Sequence, residues 1–182
     1  MSTRNVRTVF LAALFCALAA GPGAAATASV SVGPVAIGEL LQKALKEHYG
    51  VDEAQDLQQA VTHSLSRSLK EAGAEPGEGG AVRIEVLIDA AMPTHPTRRQ
   101  LNENPSLDYL RSVSRGGAEL HAVLRNADGK VLDRVSYDYY AYSLRDTSRS
   151  GGAWGDAYIA IDRFSDQVAR HWRQLSAAPP AS

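Results

Sequence analysis

Five histidines, His48, His63, His95, His121 and His171, are the residues best suited to metal or acid–base chemistry. No pair of them has the spacing of a zinc helix, and no His-Glu-x-x-His occurs. His63 and His171 fall on helical faces and His121 on the outer face of a strand, which marks them as surface or boundary residues. His95 differs, because it lies between Pro93 and Pro96 and just before Arg98 and Arg99. A loop histidine beside two cations is a candidate ligand group. Acyl-transfer chemistry has no local signature, since Gly-x-Ser-x-Gly is absent. Triads are assembled in space, however, and the motif's absence does not exclude one. Asn126-Ala127-Asp128-Gly129 has the opening of a calcium loop without its third acidic position or late glutamate, and reads as a plain turn. Gly151-Gly152 ahead of a helix could cradle an anion, but lacks the Lys-Ser/Thr of a phosphate loop and reads as a hinge. The expectation is no catalytic residue, no metal and no cofactor.

The elements that would position these groups centre on Gly116 to Arg145. Ala118, Leu120, Ala122 and Leu124 alternate with Glu119, His121, Val123 and Arg125, the period of a half-buried strand. The return strand sets Val131, Val135, Tyr137, Tyr139 and Ala141 on one face, and Arg134, Ser136, Asp138, Tyr140 and Tyr142 on the other. Asn126 suits the start of a type I turn, and Gly129 can take the left-handed conformation that a following bulge needs. Two of the four tyrosines then enter the core. Tyr140 and Tyr142 stay on the open face near Arg134 as a candidate binding row.

Earlier in the chain, Ser29 to Ile37 alternates weakly, with Gly33 and Pro34 interrupting. Glu39 to His48 reads as a short helix stopped by Gly50. Asp52 with Gln55 forms a capping-box pattern for a second helix reaching Ala72, with Leu57, Val61, Leu65 and Leu69 on its buried stripe and Gly73 after its end. Val82, Ile84, Val86, Ile88 and Ala90 mark a strong strand that ends at Pro93. Pro93 to Arg115 is a connection long enough to be functional or flexible. It carries His95, Arg98, Arg99, Arg111 and Arg115, with a helical turn expected at Leu107–Leu110. The last helix covers about Ala153 to Leu175, with Trp154, Ala157, Tyr158, Ile161, Phe164, Val168 and Trp172 on one stripe. The order β-α-α-β-β-β-α predicts an α+β two-layer sandwich: a mostly antiparallel sheet of about four strands with helices on one face.

The N-terminus reads as an export signal. Arg4 and Arg7 precede the apolar run from Val9 to Ala20, which is shorter than the roughly 20 residues a bilayer span needs. Gly21-Pro22-Gly23 and the Ala-x-Ala sequences at Ala24–Ala26 or Ala26–Ala28 follow. The expected division is a cleaved leader at 1–26, one domain at 27–176 and a disordered tail at 177–182. Cys16, the single cysteine, lies in the leader behind Ala13-Leu14-Phe15, whose bulky Phe15 breaks the lipobox pattern. The mature chain therefore has no disulfide or cysteine-ligated zinc. Removing Arg4 and Arg7 leaves 17 basic against 20 acidic side chains, a net charge of −3. That balance argues against a general nucleic-acid binder. No second long apolar run would span a membrane.

Three stretches carry a family resemblance: Ser114-Arg115-Gly116-Gly117-Ala118-Glu119-Leu120, the turn Asp128-Gly129-Lys130-Val131-Leu132, and the aromatic helix from Trp154 to Phe164. Over Val82 to Trp172 the chain resembles small α/β envelope domains of Gram-negative bacteria, often lipoproteins. The resemblance implies an auxiliary or assembly factor, in the periplasm or associated with the outer membrane. The expected function is a non-catalytic envelope protein that binds another protein or an envelope component. Its candidate site residues are His95, Arg98, Arg99, Arg111, Arg115, Arg134, Tyr140 and Tyr142. The alternative is a periplasmic small-ligand carrier or hydrolase with its site between the sheet and the 93–115 loop. The sequence does not specify the oligomeric state.

Overall fold

The computed structural model describes residues 29–77, 79–148 and 151–177. The leader, Cys16, and residues 178–182 of the expected tail lie outside the described residues.

Three long strands form the body of the sheet: β4 (Val82–Met92), β5 (Gly117–Asn126) and β6 (Val131–Tyr140), paired antiparallel in that order. The predicted turn joins β5 to β6. Gly129 N–H donates to Asn126 O at 2.9 Å, and Gly129 sits at φ 80°. Asn126 N–H donates to Lys130 O at 3.0 Å, which leaves Gly129 as the bulged residue expected after the turn. The register shifts again between Leu124 and Arg125, a second bulge at Leu132 that was not expected. On the other side of β4 lie two short parallel strands, β1 (Ser29–Val32) and β2 (Ala36–Ile37). They arise from the single weak run of the sequence. Gly33 still donates to Ile84 O at 2.8 Å, whereas Pro34 has no N–H to give, so the ladder breaks there and resumes at Ala36. A two-residue strand, β3 (Glu75–Pro76), completes the edge beside β1. The sheet therefore has six strands where about four were expected, and the additions are short.

Among the described residues are four α-helices, α1 (Glu39–Ala44), α2 (Glu53–Glu71), α3 (Arg98–Glu103) and α4 (Gly155–Ala177), of which α1, α2 and α4 follow from apolar stripes. α1 widens into a π turn at Leu45–Tyr49, closed by Gly50 N–H to Leu45 O at 2.7 Å and ended by Gly50 at φ 110°. α2 buries Leu57, Val61, Leu65 and Leu69 as predicted. Its end is a Schellman turn, with Ala74 N–H on Leu69 O and Gly73 N–H on Lys70 O, both at 2.9 Å. Its predicted capping box is absent: Asp52 lies in helical conformation at φ −66° and ψ −28°, and its side chain caps nothing. An N-cap carboxylate reaches the first amides only from extended backbone.

The core lies between α2, α4 and one face of the sheet. Ile84, Val86 and Ile88 from β4 and Ala118, Leu120, Ala122 and Leu124 from β5 meet Trp154, Ile161, Phe164, Val168 and Trp172 of the last helix and the turn before it. The alternation of β4 breaks once. A bulge between Ile88 and Ala90 makes Ala91, rather than the predicted Ala90, the buried residue. No helix among the described residues is long and apolar enough to cross a membrane.

Candidate functional site

The 93–115 connection is pinned at both ends. Thr94 and His95 both donate from their backbone N–H groups to Ala153 O, at 2.7 and 3.2 Å. Ser114 closes the far end with N–H to Thr94 O at 2.9 Å and its hydroxyl to Pro93 O at 2.5 Å. In between, Thr97 caps α3: its hydroxyl accepts from Gln100 N–H, and the Gln100 side chain accepts from Thr97 N–H at 3.0 Å. This is the capping box of the molecule, in a segment expected to be irregular. The Thr97 hydroxyl also donates to Tyr49 O at 2.6 Å, which fixes α3 against the π turn.

A buried carboxylate ties this strap to the last helix. Asp156 is fully buried in the first turn of α4. It accepts from the Thr94 hydroxyl at 2.9 Å, from Gly116 N–H at 3.2 Å and from Ser148 N–H at 2.7 Å. Three donors offset the cost of burying its charge. Gly116 must lack a side chain here, because a Cβ would overlap the Thr94 hydroxyl. The first turn of α4, which Gly151-Gly152 precedes, thus carries the chain's own carboxylate, with donors drawn from Thr94, Gly116 and Ser148. Both glycines are in left-handed conformations, at φ 92° and 70°.

The eight predicted site residues fall in separate places. His95 is buried, with Nδ1 2.9 Å from Tyr109 O and its ring stacked on Tyr109 at 5.1 Å. It borders a groove of 380 Å³ shared with Tyr49, Met92, Pro96, Gln100 and Val113, into which no arginine or carboxylate projects. Arg98 and Arg99 border a different cleft, with Asp52, Glu53 and Asp56. Arg99 is held by Glu103 at 2.7 Å and by Lys46 O at 2.5 Å, whereas Arg98 is exposed. Arg111 is exposed on the strap, apart from both. The remaining four gather around the open face. Arg115 Nη1 reaches Tyr142 O at 3.5 Å, and Arg134 and Tyr140 project from β6. Tyr140 is 39% exposed and Tyr142 89%.

Among the described residues no helix covers that face, and its side chains pair along and across strands. Arg125 holds Glu85 at 2.9 Å, and His121 bridges Ser136 through Nδ1 at 2.9 Å and Glu119 through Nε2 at 3.4 Å. Asp89, Glu119 and Asp138 surround Tyr140. Partial burial first, and then these carboxylates, push its hydroxyl above the usual tyrosine range. Period-two alternation made Glu119, His121 and Asp138 readable as outer residues. The same alternation in β4 put Asp89 on the outer side, and the pairing of Ile88 with Leu120 brings it beside Glu119. Asp89, Glu119 and His121 hold three potential ligand atoms within 4.8 Å of one another, a donor set that would suit a divalent cation. All three are half-buried.

No protein-family description matches the chain, and no curated protein does. Solved structures are similar in outline. A PelC dodecamer from Paraburkholderia phytofirmans has TM-score 0.47 and 11% identity, covering 82% of this chain and 92% of that one. A Xanthomonas campestris protein described as DUF330 has TM-score 0.48 and 9% identity, over 84% and 86%. A lipoprotein from Neisseria meningitidis has TM-score 0.38 and 14% identity, over 83% and 99%.

Proposed function

We propose that this protein is an exported, non-catalytic envelope component that binds another protein or an envelope component through the open face of its sheet. Tyr140, Tyr142, Arg115 and Arg134 form the contact; Arg98 and Arg111 lie apart from it. The observation that carries this reading is the contrast at β6. Tyr137 and Tyr139 pack inward against the core, while Tyr140 and Tyr142 stay exposed, Tyr142 with Arg115 on its carbonyl oxygen. Exposed aromatic and arginine side chains are the usual anchors of binding surfaces.

The test is capture of partners from a native envelope extract, with wild-type protein and with Tyr140→Ala/Tyr142→Ala as baits. The reading expects a specific partner lost from the variant while its urea midpoint stays unchanged. Equal capture by both baits contradicts it.

A second reading, a carrier of a small apolar ligand, is favoured by the groove beside His95. There the ligand would lie on Tyr49, Met92 and Val113, and Val113→Trp would block it without touching the open face. Mass spectrometry of material extracted from the native protein separates the readings, since a carrier brings a bound small molecule with it.

A further inference from the structure

The sheet ends at β6, and among the described residues no strand pairs with its outer edge, ten residues long. Such an edge presents a row of unpaired N–H and C=O groups. The parity of that row is fixed by two hydrogen bonds. Ala141 N–H donates inward to Gly116 O at 2.9 Å. Arg134 N–H donates to the carboxylate of its own neighbour, Asp133, at 2.7 Å, and so does not bond β5. Odd residues therefore pair with β5, and Arg134, Ser136, Asp138 and Tyr140 turn their backbone groups outward. Their side chains stand on the open face, and all four are exposed.

Arg134, Ser136 and Asp138 form a self-complementary series. Set antiparallel to a second copy with the two-fold axis at Ser136, Arg134 faces the partner's Asp138, and Asp138 faces the partner's Arg134. Tyr140 then meets the partner's Leu132, another exposed apolar residue. On the helix side, Val135 meets the partner's Tyr137. Moving the axis to residue 134 sets arginine against arginine, and moving it to residue 138 sets aspartate against aspartate, both unfavourable. Axes at Val135 or Tyr137 leave one charge opposite Ser136 and the other opposite an apolar side chain. The parity also fits, because Ser136 and its copy would form a hydrogen-bonded pair.

We infer that the outer edge of β6 is a homodimer interface, joining two sheets into one continuous antiparallel sheet in the register centred on Ser136. Formation releases the Arg134 N–H from Asp133. That carboxylate stays anchored through its other oxygen, 2.6 Å from His171 Nδ1. About six intermolecular backbone hydrogen bonds, two at each pairing among Arg134, Ser136 and Asp138, would replace the two lost, one in each copy. The occupant is a second copy because the charges answer one another only in that arrangement.

Sedimentation equilibrium of protein matured from the full chain tests this. A monomer–dimer equilibrium is expected in the wild type. Arg134→Asp and Asp138→Arg each set like charges in opposition and should weaken it about tenfold or more. The exchange R134D/D138R restores the pair across the axis and should return the dissociation constant to near its wild-type value. Because both side chains are exposed, the urea midpoints of the monomers should not move. A monomer at every concentration overturns the inference, as does a dimer that the single reversals leave intact or the exchange fails to rescue. Self-association of the purified protein is read without any other partner, so its failure and that of the partner reading are separate results.

Discussion

On β5, Leu120 and Leu124 are fully buried under α4, while His121 and Val123 between them are only half-buried, with neighbouring strand side chains for cover. One strand thus presents two surfaces with different organisation. The covered face is aliphatic and aromatic and continuous from β1 to β6, whereas the open face is a set of charge pairs and tyrosines. Stability is concentrated where water is excluded, because buried apolar area is the main favourable term. The open face contributes little to the core and is free to carry recognition.

The largest effect should come from the covered side. Phe164→Ala removes a fully buried ring and should cost about 3–5 kcal/mol in urea unfolding. Next is the polar link between the strap and α4. Asp156→Ala leaves the Thr94 hydroxyl and the amides of Gly116 and Ser148 without their acceptor, and should cost about 3 kcal/mol. Hydrogen exchange should quicken at Gly116 and Ser148 before it does in the core. The comparison sharpens on a single strand: Leu120→Ala should cost about 2–5 kcal/mol, and Val123→Ala, on the other face, about 1 kcal/mol or less. Equal losses would mean that the open face is covered after all.

A smaller effect depends on pH. The hydrogen bond from His171 holds the Asp133 carboxyl below its usual range, outweighing the opposing effect of its partial burial. The unfolded chain therefore takes up this proton first as pH falls. The stabilisation is complete above about pH 4, the unfolded carboxyl's value, and is lost as pH drops through the folded one. Urea midpoints of wild type and His171→Ala should differ at pH 6 and converge in acid. A gap that persists at low pH would show that the pair is not its source.

Much of the covered face was readable in the chain. Period-two alternation located β4, β5 and β6, three-and-four spacing located α2 and α4, and Asn126 with Gly129 gave the turn, because each signal is local. The pairing partners were not local. The strap reads as irregular because its order comes from Ala153, Tyr49 and Asp156, distant in sequence, although Thr97 and Gln100 did carry a capping signal of their own. The same reason separates the predicted site residues. Proximity along the chain grouped His95 with Arg98 and Arg99, yet the histidine turns into a groove and the arginines line another cleft. The open-face members were legible because strand alternation alone assigns their side.

The division of labour between the two faces is tested most directly by carrying Tyr140→Ala/Tyr142→Ala and Leu120→Ala through the same pair of assays, urea unfolding and capture from envelope extract. The expected result is that the tyrosine variant keeps its urea midpoint and loses its partner, while the leucine variant, at a temperature where it remains folded, loses stability and keeps its partner. A tyrosine variant that unfolds early, or one that still captures everything the wild type does, would contradict the assignment of recognition to the open face.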